Sequence, residues 1–171
     1  MKKIFFNDKF CLTQAVLNGT KTITRRLLKD GTPLGNWEET QKHLPYEVGE
    51  VVAIAQCYKE LYPNADFEMV GNGFITESAG WNNKMFVKAG LLPHHIKITH
   101  AKIERLQDIS DDDVLKEGVL ELTDKCFLPG WVAKIFTSAR EAFVYLTDKV
   151  SGKGTWESNP WVVAYSFELV D

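Results

Sequence analysis

Apolar residues along this chain switch between two spacings, and the switches mark out its elements. Lys3–Phe6 is a short apolar run that suits a first strand. From Asp8 to Asn18, the positions of Phe10, Leu12, Ala15, Val16 and Leu17 predict a helix. Asn18-Gly19 ends it, with Gly19 suited to a left-handed residue after the last turn. Thr20–Leu28 predicts a turn that continues as a strand. Lys29–Tyr46 holds Gly31, Pro33, Gly35 and Pro45 and reads as a long loop, a kind of segment that often carries function. Glu50–Tyr58 is almost continuously apolar, as a strand covered on both faces would be. Residues 59–83 are irregular and carry Tyr62, Phe67, Phe74 and Trp81, and Lys84–Lys88 suits a short strand. His95–Arg105 predicts a long strand with Ile96 and Ile98 on one face. Ile103 joins that face only if a bulge near His100–Lys102 shifts the alternation. Ser110–Glu117 predicts a short helix capped by Ser110, with three acids at its positive end. Pro129–Leu146 reads as an amphipathic helix, with Val132, Ile135, Phe136, Ala139, Phe143 and Leu146 on one side. Pro160–Val170 is the cleanest strand pattern: Trp161, Val163, Tyr165, Phe167 and Leu169 alternate onto one face.

This order lacks the regular alternation of a doubly wound parallel sheet. It suits an α+β fold, a small mixed or antiparallel barrel with helices packed outside. No repeat or long linker divides the chain, so one domain over residues 1–171 is expected. Composition agrees with an ordinary globular protein: 44% hydrophobic and 25% charged residues. No apolar stretch is long enough to span a bilayer, and Asn7, Asp8 and Lys9 interrupt the start, so neither a membrane span nor a secretory leader is expected. Cys11, Cys57 and Cys126 are an odd number without C-x-x-C spacing, which suits thiols in a reducing cytoplasm.

Charge changes the picture more than composition does. The net −3 argues against a protein that coats nucleic acid, yet it conceals a segregation. Residues 2–29 hold seven bases against Asp8 alone, a balance of +6 that leaves −9 for residues 30–171. Residues 104–124 contain eight acids, including Glu104, Asp113 and Glu117, and two bases. The basic segment suits an anionic ligand. It equally suits docking against the acidic segment, and the acidic face equally suits a protein partner.

Within the basic segment, Asn18-Gly-Thr-Lys-Thr-Ile-Thr-Arg-Arg26 follows a predicted helix and is dense in donors. Gly19, Lys21, Thr24 and Arg26 match the G-x-K-x-x-T-x-R signature, and the chain here resembles the ASCH domain, a PUA-like barrel family. Val48-Gly49-Glu50-Val51 looks like the family's turn into its central strand. Ile103 to Gly118, and Trp156-x-x-Asn159-Pro160-Trp161-Val162, are similar to stretches of its longer, phage-type bacterial branch. Together the matches run over about residues 10–168. Two positions depart from that branch: Ala55-Gln56 stands where it often has Arg-Glu, and Pro93-His94-His95 where it has Pro-Arg-Trp. The resemblance implies a PUA-like mixed barrel of five or six strands. It also implies a ligand that is a nucleotide, a modified nucleoside or a short RNA. One small bacterial branch of the family hydrolyses the amide of N4-acetylcytidine. Carried over, its catalytic set would be Lys21 as general base, Thr24 as nucleophile and Glu117 as proton donor, with Gly19, Arg25, Arg26, Trp156 and Asn159 around the ligand. The non-catalytic alternative is an RNA-binding module in which Lys21 and the arginines grip phosphate.

Chemistry constrains that carry-over. A threonine hydroxyl needs a base to take its proton, and a lysine serves only if burial or nearby cations lower its pKa. In a regular strand Lys21 and Thr24 would face opposite ways, so the backbone at 20–24 must be irregular. Trp161, Tyr165 and Phe167 suit a core face, whereas Trp81 and Trp156, in loop-like surroundings, are better placed to stack on a base, and Trp156 equally suits a lid over the core. His94, His95 and His100 lack metal-ligand spacing, and no cofactor motif is present, so neither metal nor cofactor is expected.

Overall fold

The computed structural model describes residues 1–65, 69–70, 73–123, 125–130 and 133–171. Its principal sheet has five strands. These are β1 (Lys3–Ile4), β2 (Ile23–Leu27), β3 (Val51–Ile54), the long strand His95–Arg105 and the last strand Trp161–Leu169. Two short strands, β4 (Met69–Val70) and β5 (Gly73–Phe74), form a separate hairpin, so the long strand is β6. A third, antiparallel sheet holds β7 (Leu120–Leu122), β8 (Lys125–Leu128) and β9 (Lys134–Phe136), which makes the last strand β10. The principal sheet runs β1-β3-β6-β10-β2; β1 and β3 are parallel, and the other pairs are antiparallel. The α+β class and the five-stranded mixed sheet follow the sequence reading. The sheet is open: among the described residues no ladder joins its edges β1 and β2. One side chain crosses between the edge strands' ends, where Arg26 Nη2 donates to the Phe5 carbonyl.

The helices are short except one. They are α1 (Leu12–Leu17), α2 (Trp37–Gln41), α3 (Tyr58–Leu61), α4 (Asp111–Lys116), α5 (Ala139–Ser151) and α6 (Thr155–Ser158). The predicted helix at 8–18 divides into a single tight turn, Asp8–Phe10, and α1, because Cys11 between them is left-handed at φ 53°. Inside the loop at 29–46, Asn36 caps α2 by accepting from the Glu38 amide. The apolar run at 50–58 is a strand only over Val51–Ile54. Lys84–Lys88 is not a strand, since Asn83 caps a tight turn at Lys84–Phe86.

The largest correction concerns 129–146. The helix begins only at Ala139, where the Ser138 hydroxyl accepts from the Glu141 amide. Ahead of it, Lys134–Phe136 is extended and pairs with β8. Phe136 then points into the core, and Ile135 is 67% exposed. Val132, assigned above to the helix's apolar side, lies outside the described residues, as do Phe67 and Asp124. In β6, the register against β10 shifts between Ile98 and His100, which leaves Thr99 as the extra residue. Burial accordingly falls on Ile96 and Ile98, then on Ala101. One apolar cluster joins the sheet to α1, α4 and α5 through Val16, Ile54, Ile98, Val114, Phe143 and Tyr165. A smaller one gathers around Tyr58, Ile75 and Val87.

Candidate functional site

Lys21 sits on irregular backbone between α1 and β2. Gly19 turns the chain at φ 74°, and the amides of Thr20 and Lys21 both donate to the Ala15 carbonyl. The Thr22 amide then donates to the Lys116 carbonyl at 3.0 Å, which ties the segment to the end of α4. Close approach there depends on Gly118. Its φ is 103°, and a Cβ added to it would lie 3.0 Å from Leu12 and 3.7 Å from the Lys21 stem. Glu117 is thereby placed beside Lys21.

The geometry is compact and almost dry. Lys21 Nζ donates to the Ile23 carbonyl and the Glu117 carbonyl, both at 2.8 Å, and to Glu117 Oε2 at 2.5 Å. Both side chains of this pair are buried, at 2% and 6% exposure. Burial lowers the Lys21 pKa; Glu117 opposes that shift, and Arg26 and Arg25 reinforce it. Arg25 is fully partnered by acids. Its Nε and Nη2 meet Glu104 Oε1 at 2.8 and 2.7 Å, Nη2 also meets Asp113 at 2.9 Å, and Nη1 meets Glu117 Oε1 at 3.2 Å. Burial pulls its pKa down, but Glu117, Asp113 and Glu104 together push it above the ordinary value. Two of the seven bases in the basic segment, Lys21 and Arg25, have therefore docked on the acidic one.

Arg26 differs. Among the described residues it has no hydrogen bond beyond the Phe5 carbonyl and its buried Nε has no partner, and its guanidinium lies 5.7 Å from the Phe6 ring centre. Burial lowers its pKa against the pull of Tyr46, Glu117 and Tyr165. Lys21 Nζ shares the Phe6 ring from 5.9 Å. Among the described residues the Thr24 hydroxyl has no hydrogen-bond partner, and it is not sealed from solvent.

All five of these residues, Lys21, Thr24, Arg25, Arg26 and Glu117, line one cleft of about 320 Å³. The opposite wall is apolar, from Leu106, Phe143, Leu146 and Val150. The other residues named from the sequence lie elsewhere. Gly19 shapes the turn without lining the cleft. Trp156 packs edge-on behind Phe143 at 6.1 Å and 85°, so it is a wall support and not a stacking platform. Asn159 is a left-handed turn residue whose Oδ1 accepts from the Gln107 amide at 2.9 Å. Trp81 packs with the smaller cluster. The sequence reading missed Phe6 and the α5 wall, and it did not assign Glu104 to Arg25. Glu104 left no trace either, since it falls among the polar positions of its strand, two residues from Lys102.

The site thus belongs to the class of small, half-charged, half-apolar clefts beside an open mixed sheet. No family model matches the chain, and no curated protein matches it in sequence. The chain is similar to a solved crystal structure of an ASCH domain from Lactobacillus crispatus. The match has 14% identity and a TM-score of 0.42, and covers 98% of this chain and 78% of that one. At that distance the likeness fixes neither a ligand nor a role for any residue. Among the described residues no helix is long and apolar enough to cross a membrane, and no group of His, Cys, Asp and Glu is placed to hold a metal.

Proposed function

We propose that this chain is a single cytoplasmic domain whose cleft takes a nucleoside-sized ligand and hydrolyses an acyl amide on its base, as on N4-acetylcytidine. The observation that carries the reading is that Lys21, Thr24 and Glu117 open onto one cleft of about 320 Å³. That volume is at the small end of ligand sites and suits one nucleotide unit better than a strand.

The Lys21–Glu117 contact supports the chemistry. The pair shares one proton, held as ammonium and carboxylate or as amine and carboxylic acid. Burial disfavours the first form more than water would, and the short contact provides the path between them. In the second form Lys21 is a base and Glu117 an acid. Thr24 Oγ would bond to the acyl carbon as Lys21 takes its proton. The C–N bond would break as Glu117 gives its proton to the leaving nitrogen. Water would then cleave the acyl-threonine ester, releasing the carboxylic acid and restoring the hydroxyl. Arg25 donates to the far carboxylate oxygen of Glu117 at 3.2 Å and so helps to fix that side chain beside Lys21.

The test is conversion of N4-acetylcytidine to cytidine and acetate, followed chromatographically. Thr24→Ala is expected to lose at least about 100-fold in rate, and Thr24→Ser to retain a part of it. No turnover by the native protein sinks the hydrolytic reading. One observation favours the non-catalytic alternative: all three protons of Lys21 are already spent on protein acceptors. In that alternative the same cleft binds the ligand without cleaving it. Use of the acidic face by a protein partner is less well supported, since Glu104 and Glu117 are turned inward and bound to Arg25.

A further inference from the structure

We infer that Arg26 anchors a phosphate, so that the cleft takes a nucleotide in preference to the free nucleoside. The inference rests on the nucleoside-cleft reading above. It starts from an asymmetry between neighbours. Lys21 has three acceptors and Arg25 has three carboxylates, whereas Arg26 has one backbone carbonyl and a buried Nε with nothing. Among the described residues no acid pairs with it.

The groups nearest in charge terms do not pair with it: Glu117 acts on it only from a distance, with its two oxygens taken by Lys21 and Arg25. Tyr46 donates to the Lys3 carbonyl, and Tyr165 to the Tyr46 carbonyl. A guanidinium cannot relieve its burial by losing a proton at ordinary pH. Both deficits, the uncompensated charge and the unmet N–H, are met by one anionic oxygen arriving through the cleft that Arg26 lines. Position fits as well. Thr24 and Arg26 are two apart on β2 and so share a face, about 7 Å apart along the strand. The long arginine side chain adds further reach. A ligand with its reactive amide at Thr24 therefore has a site for its anion at the other end. Arg25, already surrounded by acids, offers no such site.

Titration calorimetry at low salt, with each common ribonucleoside and its 5′-monophosphate, tests this. For whichever nucleoside binds, the monophosphate is expected to bind about ten-fold more tightly, corresponding to one charge-assisted hydrogen bond. Inorganic phosphate is expected to erode that gap. Arg26→Gln is expected to close it and Arg26→Lys to keep part of it. If Arg26→Gln does not fold, the comparison on the native protein still decides. Equal affinity for nucleoside and nucleotide overturns this inference alone. Absence of binding by any of them overturns the cleft reading and this inference with it. Loss of amide hydrolysis with the gap intact removes the chemistry and leaves the anchor standing. A 5′-phosphorylated hexaribonucleotide settles the phosphate's source: tighter binding than the mononucleotide assigns it to RNA, and equal or weaker binding to a free nucleotide.

Discussion

Glu117 is gripped by Lys21 on one oxygen and by Arg25 on the other, so its two partners do not depend on it equally. Glu117→Gln leaves a buried ammonium facing only neutral acceptors and is expected to cost about 3 kcal/mol. Lys21→Met leaves the carboxylate still paired with Arg25 and is expected to cost less. Urea unfolding of both variants checks the order through their midpoints at unchanged slope; equal losses would contradict it. Tyr165 offers a separate test by pH. Burial raises its phenol from 10.0 to about 12, so the folded state holds that proton more firmly than the unfolded one. Its contribution is therefore fully present below pH 10 and lost as pH climbs toward about 12. Tyr165→Phe is expected to flatten that part of the alkaline stability profile relative to the native protein. At this scale the sequence was informative about which side chains matter and silent about their partners. Lys21, Thr24 and Arg26 stood out through the resemblance of their segment to the ASCH signature, but nothing local links Arg25 to Glu104, 79 residues away.

At the scale of elements, two segments decide how the site is built. The end of α4 reaches Lys21 only because Gly118 has no side chain. Gly118→Ala adds a Cβ at positive φ, 3.0 Å from Leu12, and is expected to cost about 1–2 kcal/mol in the same unfolding assay. The other segment is β9. In a helix, Ile135 and Phe136 would share the apolar side; in a strand they part. Ile135→Lys is accordingly expected to change stability by less than about 0.5 kcal/mol, and Phe136→Ala to cost about 3 kcal/mol. Equal, large losses would restore the helix. The strands β6 and β10 were legible because their alternation runs over many residues, including the bulge that the position of Ile103 required. The β7–β9 sheet was not, because runs of three or four residues carry too few alternations to outweigh a neighbouring helical pattern.

For the whole molecule, the charge balance matters more than its sum. Docking onto Glu104, Asp113 and Glu117 takes up two of the seven bases of residues 2–29, Lys21 and Arg25. What remains in the cleft is one arginine without an acid, set in a protein whose other charges repel polyanions. A nucleotide held this way is expected to show a gentle salt dependence. The slope of log affinity against log salt should be about −0.7, the value for a single neutralised phosphate on a single strand. A slope several times steeper would point to an extended RNA interface.

By itself, the sequence determined the α+β class, the two long strands, the α4 cap and the segment in which the cations concentrate. Each of these rests on local spacing, on periods of two or about 3.6 residues, or on residue types within one turn. Tertiary structure alone decided which cations of the cleft meet an acid and which, among the described residues, does not. Ion pairing at the cleft depends on side-chain tips brought together across 79 to 96 residues of chain, and no local pattern records that meeting.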